Sequence, residues 1–121
     1  MEDTAFNEGF ERARSIAELL ATHNGIKTVV LDLAGQSSFA DFFVITTVTS
    51  FAHLRGLARQ LEEFCASIGL DPINRKRRVP DDDEWLLVDL GSIVVHLMTE
   101  TSRDFYELEK IWFNAKVVFP G

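Results

Sequence analysis

Apolar residues recur along this chain with two periods, and the switches between them outline its elements. Phe6, Phe10, Ala13, Ala17 and Leu20 repeat at helical spacing, with Ile16 and Leu19 widening the stripe. This spacing predicts a helix over residues 7–23, stopped by Gly25 in a left-handed conformation. Residues 27–33 alternate instead, with Val29, Leu31 and Leu33 on one side and Thr28, Val30 and Asp32 on the other. They predict a strand, which the small polar cluster 35–38 ends. The stretch DFFVITTV (41–48) is aromatic and β-branched, as a second strand requires. Thr49 or Ser50 then offers an N-cap oxygen to a helix with the stripe Leu54, Leu57, Ala58, Leu61, Phe64, Cys65 and Ile68, terminated by Gly69 and Pro72. Residues 73–79, INRKRRV, suit a short edge strand whose charges discourage foreign strands.

Residues 84–112, EWLLVDLGSIVVHLMTETSRDFYELEKIW, read as a hairpin feeding an amphipathic helix. With Gly91 and Ser92 as a two-residue turn, the register pairs Leu90 with Ile93, Val88 with Val95 and Leu86 with Leu97 on one face, the core. The other face then pairs Asp89 with Val94, Leu87 with His96 and Trp85 with Met98. An indole, an imidazole and a carboxylate among aliphatics suit a docking patch better than a reaction centre. Thr101 or Ser102, with Asp104, is expected to start the last helix, burying Phe105, Leu108, Ile111 and Trp112.

The element order is therefore αββαβββα, without repeats or a linker long enough to separate domains. It predicts an α/β (α+β) fold, a single mixed β-sheet of about five strands packed by helices, as one domain over residues 1–121. A chain of this length buries roughly two thirds of its unfolded surface, so a core forms without metals or disulfides.

The net charge of -7 opposes broad affinity for phosphate backbones, which draws its free energy from Lys and Arg, and favours a basic protein partner. One cysteine, Cys65, excludes an internal disulfide framework and fits a reducing compartment, the cytoplasm by default. The acidic N-terminal stretch is unlike a targeting signal, and no apolar run approaches a membrane span.

Few residues point to catalysis. His23, His53 and His96 lie at no ligand spacing, so no metal or other cofactor is expected; His23 should be an exposed residue of its helix's last turn. Cys65 belongs to an apolar stripe, where a thiol acts as a small hydrophobe. The loop AGQSSFAD lacks the glycines and lysine of a phosphate cradle, so Ser37 and Ser38 are read as turn residues. Arg75, Lys76, Arg77 and Arg78 form the basic run, closely followed by Asp81, Asp82, Asp83 and Glu84; an RNA contact there would be auxiliary, since stacking aromatics are missing. Trp112 reads as core, and Trp85 fits core and interface equally.

Three segments in order and spacing, SSFADFFVITTVTS with His53 following, EWLLVDLGSIVVHLMT and RDFYELEKIW, resemble the ribosomal silencing factor family, the Iojap-like proteins. The match spans about residues 27–112. It implies a nucleotidyltransferase-like core without catalysis. It also implies binding to the large (50S) ribosomal subunit through its fourteenth large-subunit protein, obstruction of small-subunit joining and lowered translation under nutrient limitation. The family motifs fall on Trp85, Asp89, Gly91 and His96, and on Arg103, Phe105, Tyr106, Leu108, Glu109 and Trp112. A turn that often reads Asp-Tyr-Gly-Asp in the family is Asp89, Leu90, Gly91 and Ser92 here, and the run Arg75 to Arg78 replaces a commonly less basic segment.

On this resemblance the partner-binding residues are Trp85 and Leu87 as apolar anchors, Asp89 and Glu109 pairing with basic side chains, and His96, Arg103 and Tyr106 orienting the contact. The mechanism is steric exclusion by a monomer or a homodimer. Two other classes stand beside it: a small RNA-binding module in ribosome biogenesis using Arg75 to Arg78, and a nucleotidyltransferase. The latter lacks an Asp-x-Asp pair on any strand; Asp81 and Asp83 have the spacing but lie in a turn.

Overall fold

The structure is a computed structural model and describes residues 4–33, 36–37, 40–70, 76–78, 84–112 and 115–120, with backbone alone for 4–7 and 76–78. The elements are α1 (Thr4–Thr22), β1 (Ile26–Asp32), β2 (Phe42–Val48), α2 (Phe51–Ser67), β3 (Lys76–Arg78), β4 (Trp85–Asp89), β5 (Ile93–Thr99), α3 (Glu100–Tyr106), α4 (Leu108–Ile111) and β6 (Lys116–Phe119). One mixed sheet runs β3-β4-β5-β2-β1-β6. Its central pair, β2 and β5, is parallel, and every other pair is antiparallel. The single mixed sheet matches the sequence pattern, and β6 adds a sixth strand that the pattern did not reveal.

Every residue of β2 is buried because both faces of the sheet are covered. Phe42, Val44 and Val48 point into a core with Ala13, Ile16, Ala17 and Leu20 of α1 and Leu54, Leu57, Ala58, Leu61 and Cys65 of α2. Phe43 and Ile45 point into a second, smaller core with Leu31, Leu33, Trp85, Met98 and Leu108. Thr28 and Thr46 join β1 to β2 by a buried hydroxyl bond of 2.6 Å.

Several boundaries move for identifiable reasons. Helix α1 ends at Thr22, and the left-handed residue is Asn24 rather than Gly25. Gly25 answers a different need, because a Cβ there would collide with Thr46 Oγ1 and lie 2.8 Å from the Leu20 carbonyl oxygen. His23 falls beyond the helix and is half-buried. Of the two candidate caps for α2, Ser50 acts, its Oγ accepting from the His53 N–H at 3.0 Å. Ile68 leaves the stripe and is exposed, because the helix has ended and Gly69 turns the chain at positive φ. The expected strand over 73–79 is seen as Lys76–Arg78; its flanks, Phe6's side chain, Pro72 and the aspartates 81–83 lie outside the described residues.

The hairpin register is the expected one throughout: Trp85 opposite Met98, Leu86 opposite Leu97, Leu87 opposite His96, Val88 opposite Val95 and Asp89 opposite Val94. The Leu90 N–H closes the turn on the Ile93 carbonyl at 2.8 Å. Gly91 takes positive φ, and its N–H donates to Asp89 Oδ1 at 2.9 Å, so the carboxylate fixes the turn.

Candidate functional site: a covered hairpin face and its rim

The second hairpin face is covered rather than open, because α3 and α4 fold back over it. Thr99 caps α3, its Oγ1 accepting from the Ser102 N–H at 3.1 Å, so the helix starts ahead of the expected Thr101 or Ser102. Glu107 then enters the left-handed region (φ 49, ψ 53) and splits the expected single helix in two. The break rotates the predicted stripe. Leu108 is buried and Trp112 half-buried, whereas Phe105 is 75% exposed and Ile111 63% exposed.

Beneath this corner lies an aromatic cluster. The Trp85 ring sits 4.6 Å from Tyr106 and 5.8 Å from His96, while Phe43 meets His96 edge-on at 4.5 Å and Trp112 at 5.8 Å, centroid to centroid. Trp85, which from the sequence fits core and interface equally and which the resemblance makes an apolar anchor, is buried, and its indole N–H donates to His96 Nδ1 at 3.1 Å. With Nδ1 accepting, the neutral imidazole carries its hydrogen on Nε2. That buried N–H has no hydrogen-bond acceptor among the described residues. Burial lowers the His96 pKa from 6.5 to about 3, so the ring is neutral across the physiological range.

Arg103 ties the corner to the sheet. Its guanidinium donates to both carboxylate oxygens of Glu109, at 3.2 and 2.9 Å, and to Thr47 Oγ1 at 2.9 Å. A longer contact of 3.4 Å reaches the Ile26 carbonyl, where an extra residue in β1, with Lys27 at positive φ, breaks the pairing with β2. The bulge thus offers an acceptor to a cation that is almost wholly buried. An open cleft of about 680 Å³ lies beside it, lined by residues that include Ile26, Lys27, Thr47, Glu100, Asp104 and Lys110.

Of the seven predicted partner-binding residues, Trp85, His96 and Arg103 are therefore buried, and Leu87, Asp89 and Tyr106 are half-exposed. Glu109 is exposed but already paired with Arg103. Phe105 and Ile111, counted as core from their spacing, belong to the outer surface. No local signal marks the break that puts them there, since Glu107 is neither Gly nor Asn. Among the described residues, no group of three His, Cys, Asp or Glu side chains is placed to hold a metal ion. No described helix is long and apolar enough to cross a membrane.

Comparison with known proteins agrees with this architecture. A family model described as "Ribosomal silencing factor during starvation" matches residues 7–120. The ribosomal silencing factor RsfS of Treponema pallidum is 36% identical over 105 residues, covering 87% of this chain and 93% of that protein. Mitochondrial assembly of ribosomal large subunit protein 1 of Mus musculus is 35% identical over 102 residues, covering 80% of this chain but 43% of its own length. A crystal structure of a Chromobacterium violaceum protein superposes with a TM-score of 0.76 at 27% identity, covering 84% of each chain. With one family match across nearly its whole length and a close relative spanned almost end to end, the chain belongs to the ribosomal silencing factor family.

Proposed function

We propose that this chain is a noncatalytic translation repressor of the cytoplasm. It binds the large ribosomal subunit through its fourteenth large-subunit protein and hinders joining of the small subunit when nutrients are scarce. No bond is made or broken; the bound domain occupies space that the small subunit needs. Family membership supports the setting. The observation that carries the contact is Phe105, a large apolar side chain left 75% exposed beside the half-exposed Tyr106.

In this reading Leu87, Asp89, Tyr106 and Glu109 meet the partner on the rim of the covered face, joined by Phe105. Aromatic side chains desolvate at small entropic cost and make good anchors. The carboxylates of a chain with net charge -7 favour a basic partner and speed its encounter. Trp85, His96 and Arg103 act from beneath, holding the rim in shape.

Sedimentation with separated ribosomal subunits tests the proposal. Wild-type protein should travel with the large subunit alone and suppress formation of complete ribosomes, and Phe105→Asp with Asp89→Lys should stay near the top of the gradient. Unhindered subunit joining in saturating protein would end it.

A further inference from the structure

The charge contrast left unused by this reading lies on the outermost strand. Strand β3 closes the sheet on the side opposite β6, and its residues are Lys76, Arg77 and Arg78 on a chain with net charge -7. Lys76 stands opposite Val88, Arg77 opposite Leu87 and Arg78 opposite Leu86 in the ladder with β4. No described strand pairs with the other side of β3. The basic edge therefore borders the strand that carries Leu87 and Asp89, two residues of the proposed protein contact.

We propose that β3 is an RNA contact, in which Lys76, Arg77 and Arg78 engage phosphates of the large subunit's RNA next to the protein docked on the neighbouring rim. The inference rests on the large-subunit reading, because that subunit supplies the RNA. A single lysine is enough to keep a foreign strand off a sheet edge. Three consecutive cations concentrate more positive charge on this one strand than edge protection requires. Two of them are arginines, whose planar forks match phosphate oxygens in pairs. The sequence INRKRRV contains no aromatic residue for base stacking, so the contact reads backbone rather than base. The acidic balance of the chain makes such a contact weak alone. It gains force when docking on the protein partner raises the local concentration of phosphate.

The test compares wild type with the triple variant Lys76→Gln, Arg77→Gln, Arg78→Gln, both checked for equal urea midpoints, binding purified large subunits from about 50 to about 200 mM salt. Loss of about three phosphate contacts should weaken the variant at low salt and make its salt dependence shallower. The affinity gap should then close by about twenty- to thirtyfold across that range. Parallel salt dependences overturn the proposal. A variant that self-associates while its salt dependence is unchanged also overturns it, assigning the charges to edge protection alone. If wild type fails to bind the large subunit at any salt, the function proposed above falls. The edge is then judged on a labelled RNA hairpin, where binding lost in the variant upholds the phosphate contact and equal binding ends it.

Discussion

His53 Nε2 lies 3.1 Å from the carbonyl oxygen of His23, so the first turn of α2 is hydrogen-bonded to the chain leaving α1. The ring's other nitrogen accepts from the Thr49 N–H at 3.0 Å, which leaves the hydrogen on Nε2 and makes it the donor to His23. One imidazole thus satisfies a carbonyl just past the end of α1 and a backbone N–H just ahead of α2.

Replacing His53 by Ala should destabilise the domain by about 1 to 2 kcal/mol, the range for two partly exposed hydrogen bonds. A urea midpoint that falls at constant slope is the expected result. An unchanged midpoint would show that the bridge contributes nothing.

Burial of His96 gives stability a pH dependence of known sign. Its pKa is about 3 in the folded chain and 6.5 as a free side chain, so between these values the unfolded state binds the extra proton. The contribution is fully present above pH 6.5 and falls by about 1.4 kcal/mol for each unit of acidification down to about 3. His96→Gln keeps an acceptor for Trp85 and cannot titrate. From pH 7.5 to 5, urea unfolding should show wild type losing about 2 kcal/mol more than this variant; equal losses would refute the assignment.

Two glycines should respond to alanine with opposite signs. Gly25→Ala drives a methyl against Thr46 Oγ1 and the Leu20 carbonyl and should cost about 2 kcal/mol or more. Gly56 is an exposed residue of α2 with nothing within 4 Å of an added Cβ, so Gly56→Ala should stabilise by about 0.5 to 1 kcal/mol. Thermal melts of both variants decide the matter.

The Arg103 and Glu109 pair should couple by about 1 to 2 kcal/mol in a double-mutant cycle with Arg103→Met and Glu109→Gln. That exceeds an ordinary surface pair because the arginine side chain is 9% exposed. It falls short of a fully buried pair because the glutamate side chain is 42% exposed. Coupling near zero would mean that the corner holds without the ion pair.

Trp85→Ala and Phe105→Ala separate burial from exposure on the same aromatic corner. The first should cost about 3 to 5 kcal/mol by opening a cavity under α3, and the second less than about 0.5 kcal/mol. Reversal of that order in chemical unfolding would contradict the packing of the corner.

The hairpin was legible in the sequence pair by pair, because a Gly91–Ser92 turn admits one register and alternation then assigns every side chain to a face. What lies over a face is not written in its period. The cover comes from a helix break at Glu107 that no glycine or proline announces, and that break carried Phe105 and Ile111 from predicted core to surface. Strand β6 escaped notice because KVVF is too short for its pattern to stand out, and its place beside β1 depends on tertiary pairing. Capping chemistry was readable at Ser50. At Thr99 it was missed by a few positions, since several hydroxyl residues there compete for one role.

The parallel union of β2 with β5 has a bearing on how the chain comes into being. Phe42 must wait for Ile93, with α2, β3 and β4 lying between them in sequence. During synthesis β1 and β2 emerge well before β5 can join them, and β6 is added to the far edge after it. A nascent chain halted before β5 would leave that edge of the apolar strand β2 unpaired along its full length, open to chaperones and to aggregation.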